Sequence, residues 1–387
     1  MNKQNSILDK IIESQEIRQA AQFNPNELVA NLLKNISNKE SDILSRRFGL
    51  LGKNKETLEQ IGKYYDITRE RIRQIETATI KKIKDIKTFR QQIEAAEQHI
   101  IHLLENYGGI MEENFLLDEI NYPDSNQGDQ QKQASRFILN HLLNDKVEQI
   151  KSHPDFLNGW KLPTVSGDII KQAVEELALI IEEEKKLIKL EELLSQFQQR
   201  DFYTDNKQQI AALRLGADEE KLEEEIQRVI HSYLKISRRI DQNILGEWGL
   251  SDWNTVSPKR MSDKIYLILR KTGKPLHFTE ITDLINQSGF DKKTAYPATI
   301  HNELILDDRY VLVGRGIYAL KEWGYQPGTV MDIIIEILKA AGKPMAKEEI
   351  VKAVLDQRIV RKSTIYLALT NKEKIKKLPD GTYTINQ

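Results

Sequence analysis

Residues Thr57 to Lys84 read TLEQIGKYYDITRERIRQIETATIKKIK, and their spacing decides how the chain is built. Leu58 and Ile61 give a short amphipathic helix, Thr57 to Tyr64, its inward face, and Gly62 leaves room for a second helix to pass closely. Tyr65, Asp66 and Ile67 make the turn, and Thr68 is a good N-cap for the second helix. From Arg69 onward, at about 100° per residue, Ile72, Ile75, Ile83 and Ile86 fall on one face. Glu70, Arg73, Gln74 and Thr77 fall on the opposite face, with Arg69 at its leading edge. These are residue types that read base edges: Arg pairs with guanine, Gln with adenine, Glu with cytosine. Arg71 and Lys82 lie toward the other flank, where phosphates run. The pattern predicts a helix-turn-helix whose second helix suits the major groove.

The segment Ile67 to Glu76 (ITRERIRQIE), with Lys39 to Leu50 (KESDILSRRFGL) upstream of it, resembles region 4 of the sigma-70 family. That resemblance implies that Arg69, Glu70, Arg73 and Gln74 face the bases of an upstream, −35-type promoter element. It implies backbone contacts from Arg46, Arg47, Arg71 and the helix start at Thr57; Thr68 and Lys82 join that set. In the family the same region grips a flap element of RNA polymerase, for which Phe48, Leu50 and Leu51 are the candidates here. The partners it implies are double-stranded promoter DNA and core RNA polymerase.

Composition sets the frame. A chain of 387 residues has room for about two to four domains. The formal net charge of −1 hides an uneven distribution: Lys63 to Arg90 is rich in Lys and Arg, whereas Asp168 to Glu225 is rich in carboxylates. A basic module tied to an acidic one predicts nucleic acid at one end, and a protein partner or a plain spacer in the middle. Cysteine is absent, which excludes disulfides and thiolate zinc sites and fits a reducing cytoplasm. The start, MNKQNSILDK, lacks the apolar core of a signal peptide, and no stretch reaches the length of a membrane span. The expectation is a cytoplasmic protein with no membrane partner.

In chain order, Ile7 to Ala21 reads as an amphipathic helix, and Pro25 suits the first turn of the next, Glu27 to Asn35. The helix from Arg69 is expected to run on to Tyr107, because Ile93, Ile100, Ile101 and Leu104 continue an apolar stripe. After Gly108-Gly109 a plan of helices closed by an aromatic-x-aliphatic strand recurs, ending at Trp160-Lys161-Leu162, Trp248-Gly249-Leu250, Tyr318-Ala319-Leu320 and Tyr383-Thr384-Ile385. Helices closed by a short hairpin make a winged helix. The last two copies align best: Gly273-Lys274-Pro275-Leu276 with Gly342-Lys343-Pro344-Met345, and Gly316-Ile317-Tyr318 with Gly381-Thr382-Tyr383. Asp263 to Tyr325, with GKPLHFTEI and LDDRYVLVGRGIYALKEWGY, is similar to the HARE-HTH winged helix of the delta subunit of bacterial RNA polymerase. It lacks that subunit's long acidic tail.

The expected fold class is therefore mainly α, a multi-domain array of helix-turn-helix and winged-helix units with short β wings. The segments are 1–95 (sigma region 4-like), 96–163 (winged-helix-like), 164–255 (acidic and helical, or a further winged helix), 256–326 (HARE-HTH-like) and 327–387 (a second winged helix).

Catalytic signals are missing. His99 and His102 have no third ligand near them, and there is no HExxH, no phosphate loop and no GxGxxG. Pro154-Asp155 and Glu183-Glu184-Lys185 spell out a nuclease pattern, but the second group sits in a helical charge run. No enzyme, metal, cofactor or small-molecule substrate is expected. His277-Phe278 reads as a helix start with Phe278 in the core. Lys292, Lys293, Arg361 and Lys362 precede the third helices of the last two units, where cations either hold phosphates or keep a loop soluble. The reading is a sigma-factor-like transcription protein working with bacterial RNA polymerase; the alternative is a stand-alone helix-turn-helix regulator. No aromatic, basic helix resembles the promoter-melting segment of sigma factors, so a complete initiation factor is not expected.

Overall fold

A computed structural model describes residues 23–121, 128–143, 146–211 and 219–386. The expected helix at Ile7 to Ala21 and the residue Asp218 lie outside them. Among the described residues helices dominate, joined by short antiparallel strands. The chain divides into two compact units, one reaching Asp241 and the other starting at Gln242.

The first unit opens with α1 (Pro25–Leu33), α2 (Asn38–Phe48), α3 (Leu58–Tyr65), α4 (Arg69–Lys84) and α5 (Phe89–Asn106). Their starts are written locally. Asn24 accepts hydrogen bonds from the N–H groups of Asn26 and Glu27 ahead of Pro25, and reciprocal capping boxes join Ser37 to Glu40 and Thr57 to Gln60.

The single long helix expected from Arg69 to Tyr107 is instead two, because α4 stops at Lys84 and α5 begins at Phe89. The reason is geometric. In one continuous helix Phe89 would sit about 240° round from Ile83, on a different face. The turn at residues 85–88 lets both enter the same core.

Next come β1 (Ile110–Glu112), α6 (Glu113–Ile120), α7 (Gly128–Phe137, prolonged by a π turn, Ile138–Leu142), β2 (Glu148–Ile150) and β3 (Gly159–Lys161). The strands form an antiparallel sheet in the order β1-β3-β2, with Trp160 between Met111 and Gln149. One core holds Leu32, Leu44, Leu50, Ile83, Ile93, Ile100, Phe137 and Trp160, so α1, α2, α4, α5, α7 and this sheet are packed together. The boundary expected near residue 95 falls within α5.

Four further helices follow: α8 (Gly167–Glu184), α9 (Leu190–Gln198), α10 (Asp201–Ala211) and α11 (Glu219–Ile236). The C-terminal half of α11 returns onto β1. There the Ser232 hydroxyl donates to the Ile110 carbonyl, and a Cβ on Gly108 would lie 2.6 Å from Val229. Only glycine admits that approach.

The division into units falls in β4 (Ile240–Gln242), which precedes β5 (Trp248–Leu250). The second unit then runs twice through one plan. The first pass is α12 (Met261–Thr272), β6 (Leu276–His277), α13 (Phe278–Ser288), α14 (Pro297–Leu306), β7 (Tyr310–Gly314) and β8 (Ile317–Leu320). The second is α15 (Val330–Ala341), α16 (Lys347–Gln357), α17 (Lys362–Leu369), β9 (Ile375–Lys377) and β10 (Tyr383–Ile385). The sequence alignment of the two passes is met in register. Leu276 pairs with Tyr318 in the first, and their counterparts Met345 and Tyr383 pair in the second. Each pass has its own core, around Ile265, Ile281 and Ile300, and around Ile333, Ile350 and Ile365.

Candidate nucleic-acid interface

The seat of α4 is a small core of its own. Ile43 from α2, Ile61 from α3 and Ile72 from α4 are fully buried against one another, with Leu58, Tyr65, Ile67 and Ile75 packed around them. Between α3 and α4 the chain turns at Asp66, whose φ is +55°, and Thr68 caps α4 by accepting from the Arg71 N–H at 3.2 Å. Gly62 makes the turn possible: a Cβ there would stand 2.7 Å from the Ile67 carbonyl oxygen. Ile72 anchors the start of α4 in this small core and Ile83 anchors its end in the larger one. Arg69, Glu70, Arg71, Arg73, Gln74 and Thr77 remain exposed along one side. A helix held this way against a preceding helix, with an exposed face of Arg, Glu and Gln, has the form of a major-groove reader.

A family model, Sigma-70, region 4, matches residues 32–85. Those residues are a sigma-70 region 4 domain. Region 4 is a non-catalytic DNA-binding helix-turn-helix, and its presence at residues 32–85 implies promoter DNA binding linked to a sigma-factor-like transcription function. The match takes in none of residues 263–325, where the second resemblance was drawn.

Within region 4, the four base-reading candidates Arg69, Glu70, Arg73 and Gln74 come together on the exposed side of α4. Two of them are engaged with each other. The Arg73 guanidinium donates twice to Glu70, at 2.7 and 2.9 Å, which raises the pKa of the arginine and lowers that of the carboxyl. Arg71 donates to Gln74 Oε1 at 3.1 Å. Such exposed contacts are weak and give way to a better partner. Arg73 and Arg71 are therefore free to exchange these intramolecular partners for others.

The backbone candidates divide. Arg71 is exposed, and Thr57 and Thr68 are the N-caps of α3 and α4, helix ends that suit an anion. Lys82 is 53% exposed and reaches Glu40 at 3.0 Å. Glu40 is held down at about 2, chiefly by its hydrogen bonds with the Ser37 side chain and backbone, then by Lys82. Arg46 and Arg47 are tied inward. Arg46, with a side chain 17% exposed, pairs with Asp42 at 2.7 Å and Glu56 at 2.9 Å and lies 4.0 Å from the Tyr64 ring. Arg47 pairs with Glu76 of α4 at 3.0 Å. The Tyr65 hydroxyl donates to Asp42 at 2.6 Å, and burial followed by that bond pushes it up to about 12. These pairs lock α2 against α3 and α4. The spacing of Asp42 and Arg46 at i,i+4, and of Glu70 and Arg73 at i,i+3, is the sequence signal that would have revealed two of them.

Of the apolar flap candidates, only Leu51 is displayed, at 47% exposure. Leu50 is buried in the larger core, and Phe48 packs 5.1 Å from Phe137 and 4.7 Å from His141. Sequence reasoning missed this because Phe137 and His141 lie far along the chain.

Elsewhere, His99 is pushed down to about 4 by burial and then by His102, and lies 5.6 Å from the Phe23 ring. Among the described residues no group of three or more His, Asp or Glu is placed to hold a metal ion. Asp155 pairs with Lys171 at 3.1 Å, near the start of α8, whereas Glu183 stands about 18 Å further along that helix and pairs with Arg200. The nuclease-like letters are not one site. His277 caps α13, and Phe278 packs on the core beside it. No helix among the described residues is long and apolar enough to cross a membrane.

Proposed function

We propose that the protein is a sigma-factor-like transcription factor whose region 4 reads an upstream, −35-type promoter element and which acts with core RNA polymerase in initiation or its regulation. The observation that carries this reading is the exposed face of α4, where Arg69, Glu70, Arg73 and Gln74 project from a rigidly seated helix inside a region 4 domain. Arg71, Thr57, Thr68 and Lys82 serve the backbone, and Arg46 and Arg47 reach phosphates only if their ion pairs open. Leu51 is the apolar residue offered to polymerase.

The rest of the chain is read as an array of winged-helix units. The element order helix, strand, helix, helix, strand, strand supports this for residues 96–163 and 256–326, and the hairpin and single bridge of the last segment support it there. Asp263 to Tyr325 is the HARE-HTH-like member, and the acidic helices α8 to α11 are a protein-facing element. The reading places the protein in the cytoplasm and assigns it no enzymatic step, cofactor or membrane contact.

The test is co-purification of the full chain with core polymerase from its own cell, followed by footprinting of that complex on promoters. Retention and an upstream footprint that disappears on Arg73→Ala are expected. Sequence-selective DNA binding without polymerase would overturn the reading in favour of a stand-alone regulator.

A further inference from the structure

The two passes of the second compact unit differ in what their third helix and hairpin display. In the first, the exposed residues of α14 are Pro297, Ala298, Thr299, Asn302, Ile305 and Leu306, with no cation among them. The edge of β7 is also bonded. The Ile359 N–H donates to the Val313 carbonyl at 2.8 Å, and the buried Arg358 guanidinium donates to the carbonyls of Leu312, Gln326 and Gly328. The backbone approach is close enough that a Cβ on Gly314 would lie 2.6 Å from the Ile359 carbonyl oxygen.

Around α14 and its hairpin, exposed cations are confined to Lys292 and Lys293 before the helix and Arg315 in the hairpin turn, and the second pass carries more. Arg361 and Lys362 open α17, Lys372 and Lys374 come after it, and Lys376 and Lys377 lie on β9, all six exposed. Glu373 is the one carboxylate between residues 361 and 377. Among the described residues none of the six cations is within ion-pair distance of a carboxylate; Lys374 feels Asp332 through space without pairing. The other exposed side chains of α17 are Ser363, Thr364, Tyr366 and Leu367, none with the bidentate geometry that separates one base pair from another.

We propose that residues 330–386 form a second site for duplex DNA, which holds the phosphate backbone through Arg361 and Lys362 at the start of α17 and the lysines leading into and along β9, without reading sequence. Lysine is a compact point charge suited to phosphate, and a third helix with a flanking hairpin offers cations to backbone on both sides of a groove. The site does not depend on region 4 reading a promoter.

The experiment is fluorescence anisotropy of the full chain on a duplex carrying the preferred element and on a scrambled duplex, over a series of salt concentrations. The variants are Lys372, Lys374, Lys376 and Lys377→Gln together, Arg361 and Lys362→Gln together, and Arg73→Ala with Gln74→Ala. Both cation variants should weaken the two duplexes by the same factor. Each phosphate that is no longer neutralised should flatten the slope of log K against log salt by about 0.9 units. All six residues are exposed, and the two-residue variant decides the matter if the four-residue one fails to fold. An unchanged slope in a folded cation variant overturns the proposal, as does a loss confined to polymerase binding. Arg73→Ala with Gln74→Ala should remove the preference for the matched duplex and keep scrambled binding; failure of that arm alone counts against region 4 as the reader and leaves the second site standing.

Discussion

Replacing Gly62 by Ala sets two opposing effects against each other. Alanine in place of glycine inside a helix ordinarily gains about 0.8–1.0 kcal/mol through backbone entropy. Here the added Cβ would stand 2.7 Å from the Ile67 carbonyl oxygen, and 3.5 Å from the Arg69 nitrogen. Both neighbours are backbone, so neither can rotate away. The turn itself must open, which strains the Ile67 N–H bond to the Gly62 carbonyl, now 3.0 Å, and loosens Ile61 from Ile72 in a core of few residues. Forcing a methyl into a packed site costs about 1–3 kcal/mol, and the carbonyl contact places this site at the upper end. The net effect is a local destabilisation of about 1–2 kcal/mol, or about 5- to 30-fold in the opening equilibrium. In a chain of several cores the suitable assay is amide hydrogen exchange of peptides within residues 57–84, with anisotropy on matched DNA beside it. Protection should fall by that factor and specific binding should weaken. Gly167→Ala is the control: nothing lies within 4 Å of its Cβ, so it should be neutral or stabilising. Unchanged or increased protection in Gly62→Ala would refute the close-approach argument.

Further expectations can be checked on the same preparation. Arg73→Ala should cost about 1–3 kcal/mol on the preferred duplex and far less on a scrambled one, measured as the ratio of the two affinities. His99, His141 and His231 are each pushed down to about 4, first by burial and then by neighbouring positive charge. The unfolded chain takes up protons near 6.5 where the folded one does not, so the first compact unit should lose stability as pH falls from about 6.5 to 4. Thermal melts at pH 7 and pH 5 read this directly, and an equal or higher midpoint at pH 5 would refute it. Arg358→Ala strands the carbonyls of Leu312, Gln326 and Gly328 and should cost about 2–4 kcal/mol, seen as faster proteolysis between residues 321 and 330. Arg358→Lys should rescue little, since a single ammonium nitrogen does not span the carbonyls that two guanidinium nitrogens reach.

What was legible in the chain depends on the range of the interactions. Thr57, Gly62, Thr68 and the isoleucine spacing act over a few residues, and each holds its expected place in the helix-turn-helix. The alignment of Leu276 with Met345 and of Tyr318 with Tyr383 was legible for a related reason: one strand pairing is made twice. The break between α4 and α5 was not, because Ile83 and Phe89 are drawn into a core completed by Phe137 and Trp160. Nor were the ties of Arg47 to Glu76 and of Lys82 to Glu40, whose partners come from other helices. Basic residues counted along the chain overstate the free positive charge of region 4 for that reason.

That difference between counted and free charge bears on how such a protein finds DNA. In region 4, Arg73 is matched by Glu70, Lys82 by Glu40, Arg46 by Asp42 and Glu56, and Arg47 by Glu76. Each pairing lowers the field that draws in DNA of any sequence, although the exposed pairs open readily. On the proposed reading, a base edge that cannot replace Glu70 at Arg73 leaves the existing pair as the preferred state. On that reading, charge elsewhere in the chain adds affinity for a duplex of any sequence. The cations at residues 361–377 carry no such partners. With the backbone held there and the bases tested at α4, weakening the lysines should lower affinity while leaving the ratio of matched to scrambled binding intact. A change in that ratio would mean that the two functions are not divided in this way.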